Sequence, residues 1–483
     1  DYIKNLGCTA IWLSPVFENN PHSYHGYAIQ NYLDVDQRWG TKKDLERLVD
    51  KAHKLDIRVF LDVVLHHSGD NWSYPFDYDY YYANGERFPL GDWREKDRPL
   101  PIELRDPELY NRKGQIRNFD KYPETQEGDF LTLKTFRNDG SPESEKLGKL
   151  LAAIHCYWIR ETDVDGFRLD AVKHMKGQDI SRFCSTIREY AYSLGKRNFF
   201  LFGEIIGNDE TGNSYIGPKM LPEDQNVYYG LDSVLDHPLH SVLAGVIKGV
   251  SSPERLLERY ASLQRNALSR GEYGDFLVTY IDDHDQVGTN FKHRFGYNAT
   301  PEQIVAGMGF LLCALGTPCI YYGTEQGLDG NGIDDRYIRE GMFDPNDTET
   351  NLLNRNSWIY GKIADLAKLR QTEPILKFGR MYFRKTSKNT VDFHYPNCEE
   401  CLLTFSRVLH NGEILVVYNS SPKDVKVEYV LIDATINNAG GHMKCIYGGK
   451  TKVKVQKKLD RQDSRLYIKL KVKPMEFLIF KNS

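Results

Sequence analysis

Several things are scarce in this chain of 483 residues, and each scarcity excludes something. No run of about 18 apolar residues exists, so no helix spans a membrane. Cysteine is sparse at eight residues. Cys8, Cys156, Cys184, Cys313 and Cys319 stand in apolar stretches and read as small buried hydrophobes. Cys398 and Cys401 form a single Cys-Glu-Glu-Cys, which lacks the second half of a zinc ligand set, and the spacing is not a disulfide framework. Positive charge is not in excess: the net charge is −4, which argues against nucleic acid or an anionic membrane as partner. The first residue is Asp1, and no basic n-region, apolar h-region or cleavage site follows it, so localisation stays open.

What is present suits a large globular protein. Apolar residues make up 40% and charged residues 27%. Aromatics are abundant, with 31 Tyr, 23 Phe and 6 Trp, which serve large cores and equally serve as platforms for sugar rings.

Short apolar, β-rich runs at 9–13, 58–64, 166–169, 198–203, 230–234, 276–281 and 318–322 read as strands buried on both faces of a parallel sheet. Helical patterns fall between them at 42–55, 143–161, 180–194, 253–268, 301–315 and 358–370. Alternation of this kind predicts an α/β fold, a (β/α)8 TIM barrel. Seven strands are visible where eight are needed, so the first strand is expected to precede Asp1. No convincing helix begins between Val64 and about residue 143, a gap that marks an inserted subdomain. From about Thr372 the runs take period-2 character, at 402–405, 413–418, 425–431, 450–455, 464–470 and 475–480. The expected organisation is therefore 1–67, first part of the barrel; 68–141, inserted subdomain B; 142–371, second part of the barrel; and 372–483, a C-terminal antiparallel β-sandwich.

In such barrels the working groups stand at the C-terminal ends of strands. Reading off those ends gives His66 and His67, then Arg168 and Asp170, then Glu204, then Asp282, Asp283, His284 and Asp285. One acid at a strand end is ordinarily a loop-facing or capping residue. Three acids with histidines and an arginine on one rim are what retaining glycoside hydrolysis requires: a carboxylate nucleophile, a carboxylic acid for the leaving oxygen, and stabilisation of an oxocarbenium-like transition state.

The segments Asp62-Val63-Val64-Leu65-His66-His67, Gly166-Phe167-Arg168-Leu169-Asp170-Ala171-Val172-Lys173-His174, Phe202-Gly203-Glu204 and Ile281-Asp282-Asp283-His284-Asp285 occur in one order. Tyr24-His25-Gly26-Tyr27 and Gly316-Thr317-Pro318-Cys319-Ile320-Tyr321-Tyr322-Gly323 flank them. Together they resemble glycoside hydrolase family 13, the α-amylase family, over roughly residues 1–345. The resemblance implies that Asp170 is the nucleophile, Glu204 the acid/base and Asp285 the third, transition-state-stabilising carboxylate. It implies that Arg168 holds Asp170, that His67 and His284 bind sugar hydroxyls, and that Tyr27 lies beneath the sugar. Lys173 and His174 resemble the α-amylase pair on the leaving side of the cut, which favours α-1,4 bonds. Asp335 and Arg339 are candidates for binding sugar on the other side, against the plainer reading of solvated loop charges.

Two departures bear on this reading. His66 stands where the family commonly has an Asn that binds a structural calcium; imidazole is a poor calcium ligand, so no cofactor is required and the usual calcium site is in question, with Asp129 as a ligand or a plain subdomain residue. Asp283 stands where Asn is usual and puts another carboxylate near Asp285. Asp62, inside its strand, is read as orienting its neighbours. Tyr78–Tyr82, Trp72 and Trp93 either stack on sugar or form the subdomain's own core; the second reading is favoured. The expected substrate is an α-glucan or maltooligosaccharide, with no nucleic acid or membrane partner. A transglycosylase or exo-acting α-glucosidase is the alternative. A non-catalytic carbohydrate-binding protein is a further one, disfavoured because all three acids are kept.

Overall fold

A computed structural model describes all residues except 77–84, 221–226, 266, 269–270, 287–292, 333, 345–346, 460–463 and 483. It divides into two compact units, Cys8–Leu235, and Asp1–Gly7 with Asp236–Ser483.

Within Cys8–Leu235 the sheet is parallel. Strands β1 (Ala10–Leu13), β2 (Arg58–Val63), β3 (Gly166–Leu169), β4 (Phe200–Gly203) and β5 (Ser233–Leu235) pair in chain order. Every residue of β3 is buried, as is all of β4 but its first, which is why these strands read as apolar runs, broken in β3 by Arg168 alone. Helices return the chain between them: α1 (Lys42–His53), α2 (Pro142–Thr162) and α3 (Gly177–Ser193). Their starts are encoded locally. Thr41 and Asp44 make a reciprocal capping box on α1, and Ser141 caps α2 with Pro142 in its first turn. Gly166 is required by close approach, since a Cβ there would run into the carbonyl oxygen of Phe200 on the neighbouring strand.

The long gap after β2 holds little regular structure. Among the described residues between β2 and α2 there are 3-10 turns, a short helix at Glu124–Glu127, and one two-residue pairing of His67–Ser68 with Lys134–Thr135. Trp72 is fully buried there, its ring 4.8 Å from that of Tyr74 and 5.8 Å from that of Tyr110; the Trp93 ring lies 5.9 Å from Tyr110. These tryptophans build the core of this segment. Tyr78–Tyr82 lie outside the described residues.

In the second unit β6 (Leu277–Thr279) and β7 (Thr317–Pro318) pair in parallel. Helices α4 (His237–Ile247), α5 (Glu254–Arg265), α6 (Pro301–Cys313) and α7 (Trp358–Thr372) belong with them. All seven expected barrel strands are present, most of them shorter than their apolar runs. Helix α4 was not expected. Its start is nonetheless written in the sequence: the Asp236 side chain accepts from Leu239 N at 3.0 Å and Pro238 sits in the first turn. The apolar stretch that follows has no polar stripe to give it a helical period.

Among the described residues after α7 there are ten antiparallel strands: β8 (Arg380–Phe383), β9 (Thr386–Ser387), β10 (Leu402–Leu409), β11 (Gly412–Asn419), β12 (Lys426–Leu431), β13 (His442–Tyr447), β14 (Lys452–Lys454), β15 (Gln456–Leu459), β16 (Ser464–Val472) and β17 (Phe477–Asn482). They form one sheet in the order β8-β10-β11-β17-β13-β14 and another in the order β9-β12-β16-β15. Leu415, Val417 and Phe480 of the first meet Val430, Ile468 and Leu470 of the second in one buried cluster. The expected strands are all found. β8, β9, β13 and β15 were not expected; in β13 the buried pair, Met443 and Cys445, alternates with His442 and Lys444 in too short a run to stand out.

Candidate active site

The parallel register places the charged residues. Asp62 lies level with Arg168, and Arg168 with Phe202; one step on, Val63, Leu169 and Gly203 are level. Backbone bonding then carries the acids to the rim, with Asp170 N donating to Val63 O and Glu204 N to Leu169 O, both at 2.9 Å. Arg168 and Asp170, two apart on an extended chain, face the same side. Immediately beyond, Ala171 takes a left-handed φ of 50° and turns its amide onto Glu204 Oε2 at 3.1 Å. Gly203 leaves room for this: a Cβ there would come within 2.5 Å of Leu231 Cδ1 and 3.0 Å of Val172 Cγ2.

The guanidinium of Arg168, fully buried, serves three carboxyl groups. Nη1 donates to Asp62 Oδ1 at 2.9 Å and to Asp170 Oδ1 at 2.7 Å, while Nη2 lies 3.1 Å from Glu204 Oε1. Asp62 Oδ2 in turn accepts from Trp12 Nε1 and Tyr27 OH, each at 3.0 Å. The rings of Trp12 and Tyr27 lie 5.2 and 5.8 Å from the guanidinium carbon. Asp62 therefore anchors Arg168 from behind, as its place inside the strand implied.

One cation against three acids sets the electrostatics. Burial pushes the Asp170 carboxyl well above the usual carboxylate range; Arg168 pulls it down, while Glu204 and Asp62 push it up. In an isolated pair the arginine would lower its partner. Here its charge is divided, so the raised direction is the one physics supports. Burial also opposes the charge of Arg168, but Asp62, Glu204, Tyr27 and Asp170 outweigh it and hold the guanidinium charged. A proton thus belongs to the acid cluster as a set.

The nearby histidines are neutral. Burial drives His67 down to about 3, the charge of His25 adding to the effect, and drives His174 down to about 4. His66 is lowered well below its ordinary value for the same reason. His174 Nδ1 is held 2.6 Å from Thr125 O and feels the charge of Glu204. Lys173 pairs with Asp120. Tyr27 N donates to His25 Nδ1 at 3.0 Å, and the two rings stack with centroids 5.9 Å apart.

The second unit carries its own network. Asp285 Oδ1 accepts from Arg339 Nη2 at 2.7 Å, Asp285 Oδ2 lies 3.3 Å from His284 Nε2, and Arg339 Nε donates to His284 O at 3.0 Å. Arg339 is thus an ion-pair partner of Asp285 and not a solvated loop charge, whereas Asp335 stands outside this network. Asp283 turns its Oδ1 to the backbone, accepting from Asp285 N at 2.9 Å and from Gln286 N, so its carboxylate shapes the turn that presents Asp285.

Trp12 and Arg294 escaped the sequence reading, and Asp282 was read there only as one acid of the rim. Trp12 supplies the second donor to Asp62. Asp282 is buried, its carboxyl pushed up to about 6 by burial, with Arg294 opposing; it accepts from Thr324 Oγ1 at 2.9 Å. Arg294, 1% exposed, sits 4.4 Å from the Tyr321 ring and 3.2 Å from Glu340 Oε1. A lone arginine between aromatic and glycine residues carries no periodic signal to expose it.

Comparison with known proteins agrees. The family description "Alpha amylase, catalytic domain" matches residues 1–359. The chain belongs to the α-amylase family. An α-amylase of Streptomyces lividans is 28% identical over 448 residues, which cover 78% of this chain and 46% of that protein. A cyclomaltodextrin glucanotransferase of Klebsiella oxytoca is 25% identical over 404 residues, covering 78% of this chain and 58% of that one. The chain thus spans about half the length of these curated relatives. The crystal structure of an Anoxybacillus α-amylase superposes with a TM-score of 0.73 at 23% identity, covering all of this chain and 88% of the other. That likeness shows the fold: an α-amylase barrel with a C-terminal antiparallel β-domain.

Proposed function

We propose that this α-amylase family chain is a retaining glycoside hydrolase that cleaves α-1,4 bonds of starch, glycogen or maltooligosaccharides. The observation that carries the reading is the single buried guanidinium of Arg168, hydrogen-bonded to Asp62 and Asp170 and ion-paired with Glu204. It brings two carboxyl groups close together at the ends of adjacent strands, as a retaining pair requires.

The chemistry follows from that set. Glu204, protonated, gives its proton to the glycosidic oxygen as the C1–O bond breaks, and Asp170 attacks C1 to form a glycosyl ester. Glu204, now ionised, takes a proton from water. The resulting hydroxyl opens the ester, freeing Asp170 and a sugar with its original α configuration. Arg168 favours the ionised form of Asp170 during attack. Asp285, paired with Arg339, supplies the third carboxylate of the family pattern. Tyr27, His67 and His284 bind the sugar beside the cut, and Lys173 and His174 bind on the leaving side. No step calls on a metal. Residues 68–141 keep their reading as an inserted subdomain and 372–483 as a separate β-sandwich.

Proton NMR of the products from maltoheptaose tests the reading: α-anomeric maltooligosaccharides are expected first. β-Anomers, or no cleavage, would overturn it. A relative named cyclomaltodextrin glucanotransferase supports a second reading, in which a sugar hydroxyl replaces water in the second step. Products longer than the starting maltoheptaose, in the majority, would favour it.

A further inference from the structure

The family resemblance implies a calcium ion at the root of the inserted segment. The residues here do not fit one. Calcium takes about six to eight oxygen ligands. His66 offers a buried imidazole instead. Asp129, the acid that the sequence offers as a ligand, has both oxygens engaged: Oδ2 accepts from Tyr74 OH at 2.7 Å and Oδ1 from Thr135 N at 2.9 Å.

Organic groups make the junction. The Phe130 ring lies 4.9 Å from that of His66 and 4.4 Å from that of His174. Phe136 N donates to His66 O at 2.9 Å, and Asn138 Nδ2 to Gln126 O at 2.6 Å. A cation is already built in. Lys134, 1% exposed, pairs across from Ser68 in the short two-stranded ladder, two residues beyond His66. Its ammonium lies 3.2 Å from Asp70 Oδ1, and 5.1 and 5.4 Å from the ring centroids of Trp72 and Tyr74. Asp129 feels its charge, and Arg94 pairs with the other oxygen of Asp70 at 3.0 Å. Two acids thus face two cations, and an added divalent ion would meet repulsion from Lys134.

We propose that the ammonium of Lys134 is the structural cation of this junction, so that the inserted segment is held without calcium. A lysine is covalently part of the chain and cannot be chelated away. The proposal does not depend on the enzymatic reading.

The test uses the full chain. Elemental analysis of purified protein is expected to find far less than one calcium per chain, and the melting temperature is expected to be the same in EGTA and in excess calcium chloride. Lys134→Met keeps the stem, removes the charge, and is expected to melt lower by on the order of 5 °C or more. Should that variant not fold, Asp70→Asn, which keeps the partner's shape, is expected to melt lower than wild type. One calcium retained per chain, a rise in melting temperature with calcium, or either variant melting like wild type would overturn the proposal.

Discussion

Replacing Arg168 by lysine keeps the charge and removes the fork. In the native site Nη1 serves Asp62 and Asp170 at 2.9 and 2.7 Å while Nη2 reaches Glu204 at 3.1 Å. A single ammonium on a shorter head cannot span all three acids. At least one charge-assisted contact is lost, worth about 1.5–3 kcal/mol. Where that contact positions Asp170 or Glu204 for reaction, the loss falls on the transition state, and at about 1.4 kcal/mol per decade it lowers kcat/KM about 10- to 150-fold. The acid that the ammonium no longer reaches is left without a close cation, so the acidic limb of the pH–rate profile is expected to move to higher pH. Initial rates on a chromogenic maltotrioside, taken across pH on wild type and Arg168→Lys with matched circular dichroism spectra, measure both effects. Folded Arg168→Lys with kcat/KM within twofold of wild type and an unmoved profile would refute the argument that one guanidinium organises the acids.

Other outcomes follow from the same geometry. Asp170→Asn conserves volume and removes the nucleophile; turnover should vanish with melting temperature little changed, and wild-type rates would sink the assignment. Gly203→Ala places a methyl against Leu231 and Val172, an overpacking that costs about 1–3 kcal/mol and displaces the neighbouring Glu204. Both a lower urea midpoint and slower turnover are expected, and a variant as stable as wild type would show that the strand end can relax. His174, neutral in the fold with its value pushed down to about 4 by burial, takes up a proton near pH 6.5 only when unfolded. Its share of stability is therefore present above that pH and is lost as pH falls towards 4, by about 3 kcal/mol in all. His174→Gln should flatten that part of the urea-midpoint curve, and an equal acid slope in both proteins would contradict the buried neutral ring.

Chain-local physics made much of this protein legible from its sequence alone. Strands buried on both faces are mostly apolar, so β4 and β3, the latter interrupted by Arg168 alone, announce themselves, and the first charged residue after each marks the rim where Asp170 and Glu204 stand. Two-residue spacing on an extended chain likewise puts Arg168 beside Asp170. Other features depend on partners far away in the chain, and only the tertiary structure could decide them. Asp62 became an anchor because register sets it level with Arg168 and because Trp12 and Tyr27 arrive from other segments. Arg339 read as plainly as a solvated charge until folding set it against Asp285, and nothing in the sequence singles out Lys134, around which Asp70, Trp72 and Tyr74 close. Alternation and spacing are properties of neighbouring residues, whereas burial of a charge is settled by whatever packs over it, and no local pattern records that.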